Sequence, residues 1–93
     1  MLVLNRTKTF LKDSRKLVLS DKHYTKLVQY LGLLSQQEPL PEEALDHSLK
    51  GEWEDYREFH VSGDVLVIYR INEQRKAVEL IRVGSHTQLF KNM

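Results

Sequence analysis

Leu2-Val3-Leu4 is a short apolar run broken by Asn5-Arg6-Thr7, a pattern that predicts a strand followed by a helix cap. A first helix is expected over roughly Thr7 to Val18. Ser20 and Asp21 restart the chain, and Tyr24, Leu27, Val28, Leu31 and Leu34 then recur at helical spacing, one stripe of an amphipathic helix. Glu38-Pro39-Leu40-Pro41 cannot extend that helix. Proline lacks the backbone donor and restricts the residue before it. An acidic loop should therefore carry the chain to Trp53, with His47 on or near it.

Three strand-like runs follow: Tyr56 to Val61, Val65 to Ile71 and Ala77 to Val83. Ser62-Gly63-Asp64 and the polar stretch Asn72 to Lys76 separate them, so an antiparallel meander is expected. In the middle run both alternating sets are largely apolar, the pattern of a central strand covered on both faces, one of them by the helices. Gly84 ends the last run, Ser85 can cap a helical turn, and His86 and Phe90, four apart, would share one side of it. The fold class is α+β: two N-terminal helices on a small, mainly antiparallel sheet in the order β-α-α-β-β-β, with a short C-terminal helical turn. At 93 residues, 1–93 should form a single domain with one modest core.

Charge changes this picture more than its net value of +1 suggests. Residues 1–37 hold seven Lys/Arg against two Asp/Glu, 38–58 two against eight, and 59–93 five against three. A basic N-terminal block suits a phosphate backbone. Charged outer faces are also the norm on surface helices, and that plainer reading is the stronger one for this block. With no cysteine there is neither a disulfide framework nor a thiolate metal cage. Val65 to Tyr69 is too short to span a bilayer and the N-terminus lacks the apolar core of a signal peptide, so the expectation is a cytoplasmic chain without membrane partners.

Candidate chemistry lies in the second half, where His47, His60 and His86 stand among Asp46, Lys50, Asp64 and Arg82. Imidazole exchanges protons near neutral pH without large perturbation. His47 can serve as a base or merely decorate a loop. His60 shares a strand face with Tyr56 and Glu58, and the turn after it could fold Asp64 back as an orienting carboxylate, with a structural cross-strand pair as the rival reading. His86 follows the Ser85 cap position, near Arg82, which could pair with an anionic substrate. Trp53 and Phe90 could stack on bases, although Trp53 is placed in the core. The histidines lack the spacing signatures of a metal site, so no metal or cofactor is expected.

The string Asp46-His47-x-Leu49-x-Gly51-x-Trp53-x-x-Tyr56-Arg57-x-x-His60-Val61, then Asp64, Ile68-Tyr69, Arg82-x-Gly84-Ser85-His86 and Leu89-Phe90, resembles YafQ-type toxins of the RelE/ParE superfamily. The resemblance covers nearly the whole chain in element order, and its specific part lies between residues 46 and 90. It implies a toxin that cuts messenger RNA on the ribosome until a cognate antitoxin wraps it, with operator DNA reached through the toxin–antitoxin complex. By position, the family's catalytic set falls on His47, His60, Asp64 and His86, with Arg82, Phe90 and Lys50 in support. Similar toxins carry a proline and a tryptophan around the turn aspartate, where this chain has Gly63 and Val65.

The implied chemistry is metal-free. A base, His47 or His60, takes the 2′-hydroxyl proton, that oxygen attacks phosphorus, and His86 protonates the leaving 5′-oxygen. Asp64 would orient a histidine and Arg82 would stabilise the extra phosphorane charge. Two other classes stand beside this reading: a ParE-like toxin that inhibits DNA gyrase by binding, and a non-catalytic binding module whose histidines only hold loops.

Overall fold

A computed structural model describes residues 1–90; the last three residues of the expected domain, 91–93, lie outside the described residues. The chain opens with strand β1 (Val3–Arg6) and helix α1 (Lys8–Lys16). Thr7 caps α1: its hydroxyl accepts from the Phe10 N–H at 3.0 Å and donates to the Ile81 carbonyl at 3.0 Å, so one side chain starts the helix and ties it to the sheet. The helix ends before Val18, because Leu17 is already extended.

Helix α2 (Asp21–Ser35) is capped by Ser20 and buries Leu27, Tyr30 and Leu34. Tyr24 and Val28, placed on the buried stripe by their spacing, are 58% and 52% exposed. The packed face is rotated toward Tyr30, whose ring meets Phe59 edge-on at 5.8 Å and whose hydroxyl donates to Glu43 at 3.2 Å. Spacings of three and four let two overlapping stripes fit one helix, and the large aromatic took the core position. Burial and the Glu43 hydrogen bond together raise the Tyr30 hydroxyl above its ordinary pKa.

The acidic segment forms a short 3₁₀ turn at Glu42–Ala44, then β2 (His47–Ser48), and a second 3₁₀ turn at Gly51–Trp53. The expected meander follows as β3 (Arg57–His60), β4 (Val65–Asn72) and β5 (Ala77–Ser85), before the terminal α3 (His86–Phe90). The sheet has the order β1-β5-β4-β3-β2, with β1 parallel to β5 and the other pairs antiparallel. It therefore extends the meander by one strand at each edge. No pattern foretold β2, because two residues are too few to alternate.

Strand β4 is central and buried on both faces, as its double apolar pattern predicts. Val67 and Tyr69 join Phe10, Leu27, Tyr30 and Phe59 in the main core under the helices. On the other face Leu66 and Ile68 pack with Leu89, bordered by Tyr56, Ile81 and Phe90. A bulge between β4 and β5 sets Tyr69 opposite Leu80 but Ile68 opposite Arg82. The extra residue lets Leu80 and Val83, three apart, both enter the main core. No helix among the described residues is long and apolar enough to cross a membrane.

Thr7→Ala removes the α1 cap and its tie to Ile81. It is expected to cost about 1 kcal/mol and to lower Tm by about 4–8 °C, read by thermal unfolding with Ser14→Ala, an exposed hydroxyl in the last turn of α1, as control.

Candidate active site

Strand alternation assembles the first part of the site. Glu58 and His60, two apart on β3, share one face, and β2 sets His47 directly opposite Glu58. The Nε2 of His47 lies 2.8 Å from Glu58 Oε1, and that of His60 lies 4.0 Å from the same oxygen. His47 Nδ1 faces the Ser48 carbonyl at 3.1 Å. Both His47 nitrogens thus meet oxygen, which fixes the orientation of the ring.

Glu58 is only 5% exposed, and among the described residues its Oε2 has no hydrogen-bond partner. A buried carboxylate oxygen left in this state is costly and marks a position where a bound donor would be welcome. One atom each from His47, Glu58 and His60 lies within 4.8 Å of the others, a donor set that also suits a transition metal. The sequence reading gave the carboxylate role to Asp64 and passed over Glu58. The available signal was its place two residues before His60 on a strand.

The second part lies across the same end of the sheet. Leu66 of β4 is in register with both His60 and Gly84, so two strand spacings, about 10 Å, separate the β3 histidine from the start of the His86 segment. Ser85 and Gln88 form a capping box: the Ser85 hydroxyl accepts from the Gln88 N–H at 3.2 Å, and Gln88 Oε1 accepts from the Ser85 N–H at 3.1 Å. A Cβ on Gly84 would lie 2.9 Å from that Gln88 oxygen, so a side chain there would push Gln88 out of the box. His86 is exposed at the first position of α3, its ring 4.8 Å from that of Phe90.

Phe90 continues into an aromatic file, 6.4 Å from Trp53, which lies 5.3 Å from Tyr56. Trp53, expected in the core, is half-buried on this rim, because the 3₁₀ turn holds it beside the far face of the sheet rather than under the helices. Arg70, whose guanidinium stands 5.3 Å from the Tyr56 ring centre, closes the file and holds Glu79 below the ordinary carboxylate range by hydrogen bonding to it.

Asp64 is exposed on the β3–β4 turn, where Ser62 Oγ accepts from the Asp64 and Val65 N–H groups. It lines an open cleft of about 800 Å³ with Arg82, Ser85, Gln88 and Trp53, and the carboxylate beside His60 is that of Glu58. Arg82 is clamped by Asp13 of α1 through Nε at 2.7 Å and Nη2 at 3.1 Å. That hydrogen bonding raises its pKa further, and two of its five donors are engaged. Lys50 is exposed just before the Gly51 turn.

This chain matches the family described as the bacterial toxin of type II toxin–antitoxin systems, YafQ, over residues 2–91. The chain belongs to the YafQ family of toxins. The mRNA interferase toxin YafQ of Escherichia coli strain B is 34% identical over 82 residues, covering 87% of each chain. Among solved structures, the metal-bound toxin from Helicobacter pylori is 38% identical, with a TM-score of 0.86 over 97% of this chain and all of that one. YafQ in the E. coli DinJ–YafQ complex is 31% identical, with a TM-score of 0.80 over 97% and 99%.

Gln88→Ala opens the capping box and should loosen α3 alone. Amide exchange is expected to speed up over Ser85 to Phe90 while the β4 amides stay protected, and a uniform loss of protection would show that the box supports the whole fold.

Proposed function

We propose that this YafQ-family toxin is a ribosome-dependent endoribonuclease that cuts messenger RNA by acid/base chemistry without a metal. The observation that supports the reading most directly is the meeting of His47, His60 and the buried Glu58 at the sheet end that also carries His86. The His47–Glu58–His60 group supplies the base that removes the 2′-hydroxyl proton, and the unpartnered Glu58 oxygen gives that proton a second acceptor nearby. The 2′-oxygen attacks the adjacent phosphorus and the bond to the 5′-oxygen breaks. His86, held by its capped turn, protonates that leaving oxygen.

His60 and Gly84, the latter two residues before His86, flank Leu66 on neighbouring strands, so an RNA strand laid across β4 reaches both halves of the site. Arg82 stabilises the extra charge on phosphorus with the donors Asp13 leaves unengaged. Phe90 and the aromatic file offer ring faces to an unpaired base, Lys50 acts at the rim on phosphate, and Asp64 lines the cleft beside Arg82. Because in-line attack needs a geometry that free RNA rarely holds, the ribosome aligns the message.

An antitoxin is the second partner, as DinJ is for E. coli YafQ. The basic block of residues 1–37 fits acidic segments of such a partner. One relative is a metal-bound toxin from H. pylori. His47, Glu58 and His60 provide two imidazole nitrogens and a carboxylate oxygen at ligand spacing, so a divalent ion such as copper fits. Bound there, it would polarise oxygen as a Lewis acid while occupying the nitrogens needed for proton transfer. Of the readings weighed on sequence, the matched family is YafQ, which favours the nuclease over the gyrase inhibitor.

Primer extension on a defined message in a reconstituted translation system tests the proposal. Wild type should cut ribosome-bound RNA and spare free RNA. His86→Ala, with an unchanged circular dichroism spectrum, should be slower by about a hundred- to ten-thousand-fold. Absence of cleavage by wild type on the ribosome would overturn it. Toxin stripped of metal by a chelator and desalted before the assay should keep its rate and added copper should suppress it reversibly; a rate restored only by returning metal to the toxin would replace the metal-free mechanism.

A further inference from the structure

Three residues of the motif string, Asp46, Arg57 and Tyr69, take no part in the chemistry above, yet they form one network. Tyr69 Oη donates to Asp46 Oδ1 at 2.6 Å, and Arg57 Nε donates to the same oxygen at 3.2 Å and approaches the Tyr69 hydroxyl at 3.3 Å. Tyr69 is 2% exposed on the central strand and belongs to the main core, so the network has a rigid anchor. Burial first, and then the Asp46 hydrogen bond, push its phenol far above the ordinary range, so it stays a donor throughout neutral pH.

The register gives this network its meaning. Ser48 pairs with Arg57 and His47 with Glu58, while Arg57 pairs with Tyr69. Successive side chains on a strand point to opposite faces. Asp46 and Arg57 therefore turn to the Tyr69 side, whereas their neighbours His47 and Glu58 turn to the other. The Asp46–Arg57 pair behind the sheet mirrors the His47–Glu58 pair in front of it.

Strand β2 needs such help. It is two residues long, lies at the sheet edge, and follows Leu45, a non-glycine residue in the left-handed region at φ 50°. That conformation costs of order 1 kcal/mol or more and persists only where the surroundings enforce it. A slip of one residue would carry His47 to the wrong face.

We infer that Asp46, Arg57 and Tyr69 form a register lock, a set of positioning residues that holds His47 against Glu58 from the opposite face of the sheet. The inference rests on the catalytic reading of the His47–Glu58 pair for its consequence in rate, but the lock itself is a statement about geometry.

The test compares the full chain with Tyr69→Phe, which keeps the core ring, with Asp46→Ala, and with the double variant. Imidazole proton–carbon NMR and the cross-strand NOE between His47 and Glu58 report register, and ribosome-dependent cleavage reports kcat and KM. In both single variants the His47 resonance should move and the NOE should vanish while the His86 resonance stays. The kcat should fall by about ten- to a hundredfold with KM little changed. The double variant should be no worse than either single one, because the residues act as a unit.

A retained NOE and unmoved His47 resonance in both single variants would overturn the lock, as would additive losses in the double variant. Should Tyr69→Phe fail to fold, Asp46→Ala, at a partly exposed position, decides alone. Asp46→Asn, which keeps an acceptor for the tyrosine hydroxyl, should recover part of the NOE. If wild type cuts no RNA, the nuclease reading fails, yet the NMR arm still decides the lock.

Discussion

Burial of β4 on both faces is the constraint from which the rest of the architecture hangs. Leu66, Val67, Ile68 and Tyr69 are all sequestered, so the strand can neither slide nor turn over without exposing one set or the other. Its neighbours inherit that fixity. His60 on one side and Gly84 on the other are each placed by pairing with the same residue, Leu66. The two halves of the site thus face each other without a single direct contact between them being required. The helices contribute by covering the main-core face and by lending Asp13 to orient Arg82.

Much of this was legible in the sequence because it depends on period. The doubled apolar pattern of residues 65–71 marks a central strand, the three runs with their two turns mark a meander, and Thr7, Ser20 and Ser85 mark helix starts through a simple local hydrogen bond. The site's histidines were visible through a family resemblance and their side-chain chemistry, and the structure brings His47 and His60 to a common carboxylate.

What escaped the sequence depends on contacts that no local pattern records. Strand β2 exists only because β3 is there to pair with it. Glu58 shares a strand face with His60 by simple alternation, but only the cross-strand position of His47 gives it a role. The packed face of α2 was misplaced because Tyr24 and Val28 satisfy the helical spacing as well as Tyr30 does, and the choice was made by the shape of the pocket around Phe59. Trp53 is expected in the core because aromatic side chains are more often buried, but the chain has a second, smaller apolar face with a rim where half of an aromatic ring can rest.

The parallel pairing of β1 with β5 has a consequence in time. Val3 is in register with Ala77, 74 positions later, and Thr7 hydrogen-bonds to Ile81. Strand β1 therefore finds its partner only after β5 has been made, and the ordering of such distant segments is intrinsically slow. Asp13 meets Arg82 under the same delay. A chain made only through β4 carries His47 and His60 but neither Arg82 nor His86, so the two halves of the site meet only once β5 and α3 have joined the sheet.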